Sequence, residues 1–142
     1  MKRIISLLIF VLIVYSCSSR SSKALKPFYE TLTVNNDGGA NIKFYEVLTE
    51  SKEIMMLLGD ETLRKKIKAD DIIKSSFIIL NAGPTNEKLN KITIEKVIET
   101  PTQIEVYIND TQKSITEDQS NDVTNRPYTI VKINSKKQIV IK

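Results

Sequence analysis

The sequence has 142 residues with no histidine, no tryptophan and a single cysteine, and 21 lysines and arginines stand against 17 acidic residues. The missing histidine excludes Ser-His-Asp and Cys-His nucleophile systems and every His-containing zinc site; one cysteine excludes an internal disulfide, a Cys cluster for zinc and an iron–sulfur centre. Without Lys2 and Arg3 the charge balance is 19 against 17, too even to point to nucleic acid or to an anionic surface.

Lys2-Arg3 forms a short positive region, and Ile4 to Val14 is an apolar run broken only by Ser6. A membrane span needs about 20 apolar residues, so this run reads as a removable signal peptide over residues 1–16. Val14-Tyr15-Ser16-Cys17 resembles a bacterial lipobox, which implies that Cys17 is acylated and becomes the membrane anchor. Tyr15 is bulkier than the residue usual at that place, and an ordinary signal peptidase cutting after Ser16 would instead leave Cys17 a free thiol on a soluble exported protein. Two chains plus an N-acyl group give stable anchoring, where one chain is marginal. Residues 17–26, from Cys17 through the serine-rich Ser18 to Lys26, read as a flexible tether. Residues 27–142 read as one domain.

Along that domain, Phe28 to Val34 suits an entry strand, and Asn35-Asn36-Asp37-Gly38-Gly39 is the strongest turn, since these residues tolerate left-handed backbone. Lys43 to Leu48 suits a short strand. Thr49 is placed to cap a helix over Glu50 to Leu58, with Ile54, Met55, Leu57 and Leu58 as its apolar face and Gly59 as its stop. Asp60 is placed to cap a second short helix, in which Leu63 and Ile67 share a face and Arg64, Lys65, Lys66 and Lys68 face solvent.

Phe77 to Leu80 is an apolar run between Ser75-Ser76 and Asn81-Ala82-Gly83-Pro84, the pattern of a central buried strand. Ile92 to Ile98 follows, then a turn at Thr100-Pro101-Thr102. Ile104, Val106 and Ile108 alternate with Glu105 and Tyr107, which gives a half-buried strand. Asn109 to Asn125 reads as a long loop. Tyr128 to Ile133 and Gln138 to Ile141 read as a final strand pair joined by Asn134 to Lys137. The expected fold is α+β: a mostly antiparallel sheet with one or two short helices near its N-terminal side.

This order of elements resembles the bacterial protease complex subunit PrcB family. The resemblance is carried by Asp37-Gly38-Gly39 to Val47, the helix to Leu58, Phe77 to Thr85 with its Gly83-Pro84-Thr85 turn, and Arg126-Pro127-Tyr128-Thr129-Ile130-Val131-Lys132-Ile133. After Pro84-Thr85 the chain has Asn86 to Asn90, where the family tends to continue Gly-Gly-Tyr; Asn109 to Asn125 holds no Cys, Gly or Pro, which the family's loop often carries. The resemblance implies a lipoprotein accessory that assembles with and stabilises a cell-envelope protease and has no activity of its own.

Arg126 and Tyr128 are the candidate partner contacts, the tyrosine as an amphipathic anchor. The competing reading of Tyr128 is a core residue behind a strand-initiating Pro127. The turn at Asn35-x-Asp37-Gly38 has the third, fifth and sixth residues of a calcium loop. That register puts Thr33 first and Phe44 twelfth, where carboxylates are required, so no metal is expected. No catalytic residue and no cofactor site are expected either. The expected partners are a membrane, reached through the Cys17 anchor, and a protein, with an exported protease as its candidate; nucleic acid is not among them. The expected location is the bacterial cell envelope, at the periplasmic side of the outer membrane. The other function consistent with these features is a structural envelope lipoprotein without a protease.

Overall fold

The computed structural model describes residues 27–85, 91–110 and 125–142. The expected signal peptide, Cys17 and the expected tether lie outside the described residues, as do residues 86–90 and 111–124. Strand β1 (Tyr29–Asn35) and strand β2 (Phe44–Leu48) open the domain. Helix α1 (Ser51–Met56) runs into a 3-10 turn at Leu57–Gly59, and α2 (Glu61–Lys66) and α3 (Ala69–Lys74) complete three short helices. Then come β3 (Ser76–Asn81), β4 (Ile92–Glu99), β5 (Gln103–Asp110), β6 (Tyr128–Ile133) and β7 (Gln138–Ile141).

The strands form two sheets, one of four in the order β1-β6-β3-β2 and one of three in the order β4-β5-β7. The fold is α+β, with every pairing antiparallel except that of β5 with β7. Side-chain alternation explains the layering. Ile78 and Leu80 of β3 and Val131 and Ile133 of β6 meet Ile92, Ile104 and Val106 of the second sheet. Phe77 and Ile130, on the opposite face, join Leu32, Leu48, Ile54, Leu63 and Ile67 under the helices. The four-stranded sheet is thus the middle layer. This is why β3 reads as an unbroken apolar run: both of its faces are covered. Fully burying each such side chain is worth about 1.5–3 kcal/mol.

Three expectations are corrected. Among the described residues three helices form rather than one or two. Asp60 caps α2 as expected, accepting from the backbone N–H groups of Thr62 and Leu63 at 2.7 and 3.0 Å. The third helix, α3, is opened by Asp71, whose carboxylate accepts from the Lys68 N–H at 2.9 Å. The residue capping α1 is Glu50, not Thr49, and Glu53 reaches back to accept from the N–H groups of Glu50 and Thr49. Finally, β6 and β7 are not a pair. The link Asn134 to Lys137 carries the chain from one sheet to the other, where β7 lies parallel to β5. Asn134 N–H donates to Phe28 O and Ser76 Oγ to Ser135 O, which fixes the crossing.

The turn at Thr100 forms as expected, with the Thr100 N–H and hydroxyl both donating to Gln103 O at 2.8 Å. Strand β5 runs two residues, Asn109 and Asp110, into the expected loop. Among the described residues no helix is long and apolar enough to cross a membrane.

Candidate functional site

The two residues singled out for partner contact lie where the chain enters β6. Arg126 is held from two sides: its Nε donates to Asp37 Oδ1 at 3.3 Å and its NH1 to Asn41 Oδ1 at 3.2 Å. Its backbone N–H also donates to Asp37 Oδ1, at 3.1 Å. The Gly38 N–H and then Arg126 hold the Asp37 carboxyl below the ordinary carboxylate range. The Asn35–Gly39 turn therefore spends its carboxylate on Arg126. Beneath it Asn81, fully buried, accepts from the Ala40 N–H at 2.9 Å and donates to the carbonyls of Ala40 and Ile42. A Cβ on Gly39 would lie 2.2 Å from Asn81 Oδ1 and 2.7 Å from Arg126 O, so this close approach requires glycine.

Tyr128 satisfies both readings in part. Its ring is half-buried against the layer under the helices, and its hydroxyl accepts from Asn35 Nδ2 at 2.6 Å. Arg126 is also half-buried, so the pair presents a braced corner rather than two free contact residues.

Two ionic clusters were not evident from the sequence. Lys132 projects from β6 into the layer under the helices, donating to Glu30 Oε2 at 2.8 Å and to Asp71 Oδ2 at 3.3 Å. Its side chain is 8% exposed and that of Asp71 4%. Burial alone would depress this ammonium's pKa, but Glu30 and Asp71 outweigh it and hold the group above the ordinary lysine value. The available signal was a lysine in an apolar strand, in phase with Tyr128 and Ile130. The second cluster joins the sheets at their other end: Lys43 and the Tyr45 hydroxyl both donate to Asp110 Oδ2. The bond to Asp110 raises the Lys43 pKa, and burial followed by the same carboxylate raises that of Tyr45.

The described surface also holds a groove of about 370 Å³ beside β2, lined by Glu46, Leu48, Glu53, Met56, Leu57 and Ile79. Leu48 and Ile79 of the sheet and Met56 and Leu57 at the end of α1 and in the turn after it give it an apolar lining, and Glu46, which pairs across from Ile79 on the same face, and Glu53 add two carboxylates. Met56 is 77% exposed. Met55 and Ile73 are exposed as well, on α1 and α3, which touch each other. The basic run on α2 is partly engaged, Lys65 with Glu61 and Lys66 with the Leu32 carbonyl. Among the described residues no three His, Cys, Asp or Glu side chains converge as metal ligands.

In comparisons with protein-family models, with curated proteins and with solved structures, nothing matches the chain. Its candidate site therefore rests on geometry: a braced corner at Arg126 and Tyr128, and an apolar groove along β2.

Proposed function

We propose that the protein is a non-catalytic lipoprotein of a bacterial cell envelope, anchored through Cys17 in the outer membrane and facing the periplasm. Its domain binds a protein partner and stabilises an exported protease. The observation that carries the binding role is the edge of β2, on whose outer side no strand lies among the described residues, together with the apolar groove with two carboxylates over its helix-side face. A concave, mostly apolar slot with a few polar groups is the general form of a binding site. The lipobox-like Val14-Tyr15-Ser16-Cys17 supports the anchor, and the resemblance to the PrcB family supports a protease as the partner.

The test expresses the full chain with a fatty-acid probe and captures it in mild detergent. Label on the native chain and none on Cys17→Ala is expected, together with an exported protease in stoichiometric yield whose level falls when the chain is deleted. Equal labelling of both forms would remove the anchor. A protease whose level ignores the deletion would remove the accessory role.

A further inference from the structure

The two edges of the four-stranded sheet are treated differently. At the β1 edge the register slips between Thr31 and Thr33, and the carbonyl of the intervening Leu32 accepts from Lys66 of α2. A bulge and a lysine are two ordinary means of closing a sheet edge to further pairing. At the other edge β2 pairs with β3 in unbroken register from Phe44 to Leu48, and among the described residues no strand lies on its outer side. Alternate N–H and C=O groups of an antiparallel edge strand point away from its partner. The groove lies over the helix-side face of this edge, where Glu46, Leu48 and Ile79 share one face of the sheet with Glu53, Met56 and Leu57 across from them. A strand added to β2 would therefore find ladder partners and have an apolar slot next to the side chains on that face.

Charge selects the occupant. Glu46 stands at the centre of β2, is exposed, and forms no ion pair among the described residues. Glu53 adds a second carboxylate, with Lys136 near it, bonded to the Thr49 carbonyl. A second copy of the chain pairing antiparallel about the centre of β2 would set Glu46 against Glu46, which is unfavourable. A segment carrying lysine or arginine meets the opposite situation.

We propose that β2 and its groove accept an extended, cationic segment of a partner protein as a fifth strand, with apolar side chains in the groove and a lysine or arginine beside Glu46. This deepens the partner-binding reading above and rests on it. Backbone pairing would supply affinity, and the groove and Glu46 would supply selectivity.

The test uses the full chain in detergent and a fluorescent ten-residue peptide of alternating valine and lysine. Saturable binding is expected, with a glutamate-for-lysine peptide weaker by roughly tenfold or more. Methylating alternate backbone nitrogens of the probe should abolish binding, a readout that needs no protein variant. Glu46→Lys should weaken the lysine probe by roughly tenfold, and Met56→Ser, at an exposed position, should weaken both probes.

Equal binding of both peptides, indifference to N-methylation, or a Glu46→Lys chain that binds as the native one does would each overturn the proposal. So would a sedimenting dimer that Glu46→Lys dissolves, or tighter binding of a free peptide with the sequence of residues 18–26, the chain's own basic tether. A chain that binds the lysine probe but recovers no protease keeps this surface and loses the accessory role. A Glu46→Lys chain that still recovers the protease loses only this surface.

Discussion

The Lys132 ammonium on β6 lies 3.3 Å from the Asp71 carboxylate at the start of α3, both almost sealed from solvent. This contact ties the helical layer to the sheet beneath it. Buried ion pairs add little over a well-packed apolar pair, but losing one member strands the other. Lys132→Met is therefore expected to lower stability by about 3–5 kcal/mol. Asp71→Asn keeps an acceptor for the Lys68 N–H. Combined with Lys132→Met it should cost clearly less than the sum of the single changes, as measured by urea denaturation of all four forms.

Stability should fall on the alkaline side. Lys132, Lys43 and Tyr45 all hold their protons more tightly folded than in a free chain. A pKa raised on folding contributes fully below the unfolded value and is lost as pH rises through the folded one. With ordinary values of about 10 for tyrosine and 10.4 for lysine, the urea midpoint should hold near neutrality and decline above about pH 10. Lys132→Met should shallow that decline; an unchanged slope would show that Lys132 does not contribute to it.

Two glycines make a matched comparison. A Cβ at Gly39 meets Asn81 and the Arg126 carbonyl, whereas at Gly59 it meets nothing within 4 Å. Gly39→Ala should cost about 2–3 kcal/mol through overpacking. Gly59→Ala should be neutral or stabilising by up to about 1 kcal/mol, because it narrows the unfolded ensemble. Thermal melting of the two variants side by side decides the matter.

Arg126 and Tyr128 should separate by their effects. Tyr128→Phe removes the hydroxyl that accepts from Asn35 and should cost about 1 kcal/mol. Arg126→Ala opens an exposed ion pair with Asp37 and should leave the denaturation midpoint nearly unchanged, since such pairs contribute little. Weakened recovery of the protease by Arg126→Ala, at unaltered stability, is the outcome expected if this corner touches the partner.

What the sequence showed depended on how local the signal was. The run Phe77 to Leu80 announced β3 because burial on both faces leaves no polar position to confuse the pattern. Asp60 announced α2 because a cap acts within three residues. Helix α3 gave no such pattern: Ile72 is half-buried, Ile73 is exposed, and the buried residue is Asp71. The partner of β7 was equally hidden. Gln138 to Ile141 is a short β-branched run that suits a hairpin with β6 as well as any other pairing, and only the crossing at Asn134 to Lys137 decides for β5. The groove is less legible still, since Glu46, Glu53 and Ile79 come from separate elements and meet only after the layers pack.

The antiparallel pairing of β1 with β6 sets Tyr29 opposite Ile133. Among the described residues the first strand therefore has no strand partner until one about a hundred residues later is made, and β7, later again, completes the other sheet. Such a chain cannot close either sheet while its last third is still being synthesised. Long-range closure of this kind keeps the earlier segments without a finished layer and postpones folding of the domain until β6 and β7 have been made.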